Sequence, residues 1–359
     1  MKMYKLLILT SLLLLTTVQG FSQSLNGGEV VGRHIYGLAT DYQGDPVLIE
    51  DRPLIYKTSD FEETLTIEKS KFLVSGFSSQ IGGIYITQLD PKSNNPLDTI
   101  ALDLAKVDGF SSPVDGKKTN WNSVLMAESN IVNAAKPSEF IKTFKSYYKG
   151  KSNLVKPYKY GWVSEVIVFD SQGQAKAIKN YALGRVFANQ VISMPDNKTL
   201  YMLDKLGNLY LFVANQAKSL AKGDLYAISR QQDQISYHLL GKSAALKVKF
   251  KLKKVKFESI FKSKTPKKQS CGKSYQYIKT LYGEECLKVQ RKYKKYAAFF
   301  EPIRIMTMKG ISPFTTEGSR MSFDMSKKEL SFKQAEQGEI KLALGNNPEI
   351  KSQFVIKEP

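Results

Sequence analysis

Histidine and cysteine are scarce in this 359-residue chain, which has two residues of each. The two histidines, His34 and His238, leave too few ligands for a zinc site rich in histidine and cysteine. A Ser-His-Asp hydrolase needs a serine beside one of these histidines, and the sequence lacks the G-x-S-x-G element in which such a serine often lies. The side chains that remain for site chemistry are carboxylates, which suit hard cations such as calcium.

Phosphate-binding loops are also lacking. The segment LLGKS at residues 239–243 resembles the end of such a loop, but the first glycine of the motif would fall on Ser236. In CGKS, which begins at Cys271, the same position is Lys267. No G-x-G-x-x-G element follows a predicted strand, so the sequence does not indicate a nucleotide-binding fold.

Apolar runs long enough to cross a bilayer are missing after the first residues of the chain. The opening MKMYKLLILTSLLLLTTVQGFSQ has a basic start and an apolar core at residues 6–18, and Val18 and Gly20 are small residues before a cut after Gly20. This pattern predicts a signal peptide over residues 1–20. A retained anchor is the less favoured alternative, because the apolar run is short and contains Thr and Ser. We therefore expect an exported chain, periplasmic or extracellular, with no membrane span.

An exported chain matures in an oxidising compartment, which bears on its two cysteines, Cys271 and Cys286. Under oxidising conditions we expect them to form one disulfide. Two unpaired thiols are the alternative.

Positive charge is abundant and unevenly placed. The formal net charge is +20, and residues 241–296 hold 18 Lys and Arg against three acids, a local charge of +15. Such a surface attracts anions, which would be phosphorylated small molecules, anionic envelope polymers or nucleic acid. No element specifies nucleic acid, and a solvated lysine face without a ligand is the plain alternative.

Strand-like segments rich in Val, Ile, Tyr, Phe and Leu recur every eight to twelve residues from GGIYITQLD to DLYAIS, with turn sequences such as PDNK and DKLGN between them. This spacing indicates an all-β sandwich, barrel or propeller, and its continuation without a linker favours a β-propeller of five or six blades. We expect residues 21–359 to form one domain, with a basic, lysine-rich insertion at residues 240–296.

Helix is expected in few places. PSEFIKTFKSYYKG at residues 137–150 is the best candidate, with Gly150 as its stop, and a second helix is expected near the cysteines within residues 267–295. KVKFKLKKVKF at residues 247–257 alternates apolar residues with lysines. This alternation predicts a half-buried strand with a lysine face, on which Val248, Phe250 and Leu252 point inward.

Two stretches resemble the PhoX family of secreted bacterial alkaline phosphatases. The longer is YGWVSEVIVFDSQGQAKAIKNYALGRVFANQVISMPDNKTLYMLDKLGNLYLFVANQAKSLAKGDLYAIS at residues 160–229, and the shorter is PVDGKKTNWNSVLMAES at residues 113–129. The resemblance implies a β-propeller that binds iron and calcium, mainly through carboxylates at the channel mouth, and hydrolyses phosphoesters.

Some positions of the family pattern are retained. Glu128 matches the first Glu of a Glu-Glu pair, Glu165 the Glu of a G-W-x-x-E strand, and Arg185 the arginine of an LGR element. Asp204 stands where a strand-end acid belongs, and Glu317 matches a Glu near the C-terminal end of the family pattern.

Other positions are replaced. Val114 stands where the family has an iron-binding cysteine, Ser129 replaces the second Glu, and Ala188 and Asn189 replace a His-Glu pair. An iron pair needs several anionic ligands, so we expect none of the family type here. Glu128, Asp204, Asn189 and Glu317 are the expected ligands of a calcium site, with Glu165 as a further candidate. Ordinary strand-end acids are the alternative.

The sequence leaves two main functions open. The first is a diverged, calcium-assisted phosphoesterase in which Arg185 offsets the charge that builds on the phosphate. The second is a non-catalytic propeller that binds an anionic ligand or envelope polymer. A structural envelope protein without a small ligand is a third interpretation.

Overall fold

A computed structural model describes residues 30–31, 34–232, 234–334 and 338–344 of the chain. The predicted signal peptide, residues 1–20, lies outside the described residues. Among the described residues, no helix is both long and apolar enough to cross a membrane.

Consecutive strands pair antiparallel to form successive sheets. The first sheet contains Phe61–Ile67, Ser70–Phe77, Gly83–Leu89 and Pro96–Ala101. The second contains Pro113–Lys118, Val124–Glu128, Val163–Val168 and Ala175–Lys179. The third contains Ala188–Ser193, Thr199–Asp204, Leu209–Gln216, Ser219–Gln231 and Gln234–Ala244.

Two three-stranded sheets and two short ladders complete the described β-structure. The fourth sheet contains Phe261–Lys264, Gly283–Val289 and Gln276–Thr280, in that spatial order. The fifth contains Arg320–Asp324, Glu329–Gln334 and Gly338–Ala343. The ladders pair Val30–Val31 with His34–Ile35 and Leu48–Ile49 with Arg52–Pro53.

The larger sheets stack face to face, because alternate residues of a strand point to opposite sides. In the second sheet, Val124 and Met126 pack in one apolar cluster with the first sheet. The alternate residues of the same strand, Leu125 and Ala127, pack in another cluster with the third sheet. In the same way, Tyr201 and Leu203 of the third sheet face the fifth sheet, while Leu200 and Met202 face the second.

Successive antiparallel sheets that share faces in this way are the blades of a β-propeller. The all-β prediction is therefore confirmed, and five sheets of three to five strands stand in the described part of the chain. No repeat marks these blades in the sequence, since each cluster is filled by different apolar residues.

Helices are short and lie between or beside the sheets. The helix predicted at residues 137–150 is confirmed over Ser138–Phe144 and continues as a 3-10 turn, Lys145–Tyr148. Gly150 follows with a φ of +82°, a left-handed conformation that ends the helical path. The other described helices are Ala245–Leu252, Phe257–Ile260, Ala297–Phe300 and Pro302–Met308. The further 3-10 turns are Ala105–Val107, Ser152–Leu154, Pro157–Lys159, Tyr181–Leu183 and Arg291–Tyr293.

The strand predicted at residues 247–257 is wrong. The segment begins as the helix Ala245–Leu252, in which Val248 is buried and Phe250 is exposed. Lys and Leu are good helix formers, and the inward positions Val248 and Leu252 have the spacing of a helix face as well as that of a strand. A short segment of alternating apolar residues is compatible with either a strand or a helix. Here the helix is the form in which Val248 and Leu252 pack against the core.

The helix expected near the cysteines is a hairpin instead. Gln276–Thr280 and Gly283–Val289 pair antiparallel in the fourth sheet, and the buried Ile278 and Leu287 join the same core as the third sheet. The disulfide between Cys271 and Cys286 is confirmed, with a Cα–Cα distance of 5.4 Å. It ties the loop before the hairpin to the middle strand of the fourth sheet.

Candidate functional site

Glu128 ends the inner strand Val124–Glu128 of the second sheet, and its carboxylate is enclosed by protein. Oε1 accepts a hydrogen bond from the backbone N–H of Ser111 at 2.9 Å. Oε2 accepts two more, from the N–H groups of Gly161 and Trp162, both at 3.0 Å. A carboxylate that meets three backbone donors is held in one orientation by the loops on either side of it.

Lys179 is the last residue of the strand Ala175–Lys179, which is separated from Val124–Glu128 by one strand of the same sheet, and it supplies the positive charge that this carboxylate needs. Its Nζ lies 3.2 Å from Oε1 of Glu128, and both side chains have no exposed surface. The ammonium also donates to the carbonyl oxygens of Gly109 at 2.9 Å and Lys159 at 2.7 Å. It lies 4.7 Å from the centre of the Tyr160 ring, a cation–π contact.

Burial and pairing act on the pKa values of these two groups in opposite directions. Burial raises the pKa of the Glu128 carboxyl above its ordinary value, and Lys179 and the backbone donors reduce this rise without cancelling it. Burial likewise lowers the pKa of the Lys179 ammonium, and Glu128 offsets part of this change. With three N–H donors on the carboxylate and two carbonyls on the ammonium, the hydrogen-bond geometry is that of an ion pair.

Glu165 and Asp204 are also engaged by protein donors. Oε1 of Glu165 accepts from Trp121 Nε1 at 2.7 Å and from Ser123 Oγ at 2.6 Å. Asp204 stabilises the turn after its strand. Its Oδ1 accepts from the N–H groups of Leu206 and Asn208, each at 2.9 Å, and its Oδ2 accepts from Asn208 Nδ2 at 2.8 Å. Burial raises the pKa of Asp204 to about 7.

Arg185 is fully buried and directed at carbonyl oxygens. Its Nε donates to Tyr160 at 2.7 Å, and its Nη2 donates to Val132 at 3.0 Å and Pro157 at 3.2 Å. The guanidinium also lies 4.4 Å from the centre of the Phe187 ring. Because this side chain has no exposed surface and joins several loops, its geometry is that of an internal clamp.

The other two predicted ligands are more accessible. Asn189 is the extra residue of a β-bulge between Ala188 and Gln190, and it is half-buried. Glu317 is exposed, in the turn before the strand Arg320–Asp324.

A calcium site needs several oxygen ligands that converge on one point. Within the described ranges, no group of three or more His, Cys, Asp and Glu side chains is placed to hold a metal ion. The carboxylates of Glu128, Glu165 and Asp204 each accept at least two protein donors. These three carboxylates are thus engaged by protein donors, and the calcium site stays a prediction.

Sequence reasoning missed Lys179 and a second buried network. Arg304 donates from Nε and Nη2 to both carboxylate oxygens of Glu285, at 2.7 and 2.9 Å, and from Nη1 to Glu301 at 2.6 Å. It joins the fourth sheet, which carries Glu285, to the helix Pro302–Met308. Glu285 could have been singled out from the sequence, because it is one of only three acids in the basic residues 241–296. Nothing in the sequence near Lys179 or Arg304 distinguishes these residues from surface cations.

The basic segment is the other candidate site, and it is open to solvent. Of the 18 Lys and Arg in residues 241–296, all but Lys251 are exposed. Lys242 forms a salt bridge with Asp224. Within the described residues, no other Lys or Arg of this segment forms a salt bridge. The segment therefore presents a surface of unpaired positive charge.

No family model matches this chain, and no curated protein matches it. Among solved structures it is similar to PhoX of Pseudomonas fluorescens in complex with vanadate, a transition state analogue, with 11% identity, a TM-score of 0.37, and coverage of 89% of this chain and 87% of that one.

Two putative 6-phosphogluconolactonases are also similar. The one from Bacteroides uniformis has 10% identity, a TM-score of 0.25, and coverage of 85% of each chain. The one from Bacteroides fragilis has 11% identity, a TM-score of 0.28, and coverage of 89% of this chain and 90% of that one. At TM-scores this low, the likenesses carry no argument about function, and membership of the PhoX family stays a prediction.

Proposed function

We propose that this chain is a non-catalytic, exported β-propeller that binds an anionic polymer of the cell envelope through the exposed cations of residues 241–296. The observation that carries the proposal is the exposure of 17 of the 18 Lys and Arg in this segment. Unpaired surface cations attract a polyanion over a distance of about 10 Å at moderate salt and release its counterions on contact.

The buried acids support the same proposal. The charge of Glu128 is already offset by Lys179 at 3.2 Å, so this carboxylate does not require a metal ion. The donors of Arg185 likewise meet main-chain oxygens, and its Nη1 lies 3.9 Å from Oε1 of the buried Glu301. The disulfide is consistent with export, since such bonds persist in oxidising compartments.

Calcium-assisted phosphoester hydrolysis is the alternative, and it rests on the resemblance of residues 113–129 and 160–229 to the PhoX family. It requires Glu128 and Asp204 to exchange their present contacts for a cation that they share with Asn189 and Glu317. Hydrolysis of an aryl phosphate by the purified chain, lost when calcium is chelated, would replace our proposal with this one.

Binding to dextran sulfate and to polyphosphate tests the proposal, with the salt concentration varied. We expect binding that weakens steeply with salt. Two triple variants remove charge from separate parts of the segment, and a third removes the same charge elsewhere. The segment variants replace Lys247, Lys249 and Lys253, or Lys292, Lys294 and Lys295, with Gln; the control replaces Lys92, Lys198 and Lys222, which are also exposed.

The expected result is that at least one segment variant binds about tenfold more weakly and with a shallower salt dependence, while the control changes little. Equal losses in all three variants would indicate an effect of net charge alone and would overturn the assignment to residues 241–296. Absence of binding in the wild-type chain would overturn the proposed function.

A further inference from the structure

An exposed apolar pair stands on the helix Ala245–Leu252. The side chains of Leu246 and Phe250 are 79% and 70% exposed, more than any other large hydrophobic residue in the described part of the chain. They are four residues apart, so they lie one above the other on the same helix face. Large apolar side chains that face water together are unfavourable unless something covers them.

The opposite face of the helix fixes its orientation. Val248 is fully buried in the core cluster shared by the second, third and fourth sheets, and Ala245 and Leu252 pack against that cluster. These three residues have the i, i+3, i+7 spacing of one helix face. Packing therefore anchors the helix to the propeller and holds Leu246 and Phe250 outward.

Positive charge surrounds the pair. Residues 243–257 contain six lysines and no acid. Lys247, Lys249 and Lys253 are exposed, whereas Lys251 lies 5.5 Å from the centre of the Tyr296 ring. Among the described residues, none of the six lysines forms a salt bridge with a carboxylate. The surface thus combines two apolar side chains with unneutralised cations on one short helix.

A soluble polyanion matches only half of this surface, because it offers charge but no apolar interior. An anionic bilayer matches both halves, since helices with lysines beside Leu and Phe lie in the interface between headgroups and acyl chains. We propose that the helix Ala245–Leu252 docks the propeller on an anionic lipid surface. Leu246 and Phe250 enter the acyl boundary, and the lysines contact headgroup phosphates.

This inference rests on the proposed function in one respect, because the lysines are part of the same basic segment. It adds a different ligand, a lipid surface, and a different requirement, the two apolar side chains. The two proposals therefore predict opposite behaviour for a variant that loses Leu246 and Phe250 but keeps every lysine.

The test is co-sedimentation of the purified chain with vesicles of phosphatidylglycerol and phosphatidylcholine in equal parts, and with vesicles of phosphatidylcholine alone. The variants are Leu246→Ser with Phe250→Ser, and a matched control, Leu97→Ser with Phe169→Ser, which removes an exposed Leu and Phe elsewhere. Every variant keeps the same N-terminal segment, so any contribution of that segment is constant.

We expect binding to the anionic vesicles only, about tenfold weaker in Leu246→Ser with Phe250→Ser and little changed in the control. Binding of dextran sulfate should be the same in both variants. Vesicle binding that does not need Leu246 and Phe250 would overturn the proposal, as would equal loss of vesicle and dextran sulfate binding. If dextran sulfate binding fails in every chain but vesicle binding follows this pattern, the polymer function fails and the lipid inference stands.

A fluorescence measurement gives a second readout. Phe250→Trp places an indole on the exposed face, and its emission should shift to shorter wavelength when anionic vesicles are added, relative to the wild-type background of Trp121 and Trp162. An unchanged spectrum with bound vesicles would overturn insertion. Sedimentation of the free chain tests the other occupant of this face, a second copy, and a dimer that the Leu246→Ser with Phe250→Ser variant dissociates would also overturn the proposal.

Discussion

The Nζ atom of Lys179 lies 3.2 Å from Oε1 of Glu128, and neither side chain has exposed surface. The two residues end strands of the second sheet between which one further strand lies, and the loops at Gly109, Ser111, Lys159 and Gly161 converge on them. A lysine therefore provides, inside the protein, the positive charge that a bound cation would otherwise provide to Glu128.

Replacing Lys179 with Met should destabilise the fold strongly, because Glu128 would stay buried without its counter-charge. We expect a loss of about 3–5 kcal/mol in the free energy of unfolding, measured by urea denaturation. The double variant with Glu128→Gln should recover part of this loss, since no buried charge remains. A loss below about 1 kcal/mol in Lys179→Met, within the range of ordinary substitutions, would contradict the ion pair.

Sequence reasoning predicted the fold better than the site. The blades were predictable because strands such as Val124–Glu128 and Thr199–Asp204 are short, apolar and bounded by turns. The helix Ala245–Leu252 was not predictable, because its apolar positions fit both the two-residue period of a strand and the 3.6-residue period of a helix. The packing of Val248 in the core distinguishes the two structures.

The surroundings of the predicted site residues could not be predicted, since partners distant in sequence determine them. Glu128 is paired with a lysine 51 positions later, and Arg185 is enclosed by Val132 on one side and Phe300, 115 positions away, on the other. A matched motif position indicates where a strand ends. It does not indicate whether the acid there meets a metal ion, a lysine or backbone N–H groups.

Calcium should not stabilise this protein, because Glu128, Glu165 and Asp204, three of the carboxylates predicted to bind it, already accept protein donors. We expect the same thermal unfolding temperature with calcium and with a chelator, and no calcium-dependent hydrolysis of an aryl phosphate. A ligand present at 100 times its dissociation constant would add about 2.7 kcal/mol. A clear rise in the unfolding temperature with calcium would restore the predicted site.

Loss of the disulfide should lower stability by about 3 kcal/mol in the chain-entropy model, since the bond closes a loop of 15 residues. The measurement is urea denaturation of the chain with and without reductant, and of Cys271→Ser with Cys286→Ser as a control. Reductant should not affect the double variant. Two alkylatable thiols in the native exported chain would contradict the bond.

Asp204 should make stability fall as pH rises. Its pKa is about 7 in the folded state against an ordinary value of 3.8, so between these values the folded chain holds a proton that the unfolded chain has released. The contribution decreases by up to about 1.4 kcal/mol per pH unit in that window.

Comparison with Asp204→Asn isolates this contribution, because the amide does not titrate and can still accept from the N–H groups of Leu206 and Asn208. Asp115, whose pKa is raised to about 6 by burial, titrates in the same range and remains in both chains. Identical pH slopes for the wild type and Asp204→Asn between pH about 4 and about 7 would contradict the raised pKa.

The second sheet contributes to two apolar clusters, one shared with the first sheet and one shared with the third. Its strand Val124–Glu128 supplies them alternately, with Val124 and Met126 in the former and Leu125 and Ala127 in the latter. A single residue inserted before Val124 would turn this strand over. Val and Met would then enter the space shaped for Leu and Ala, and the Glu128 carboxylate would point away from Lys179. Insertions should therefore be tolerated in the turns of this propeller and selected against within its inner strands.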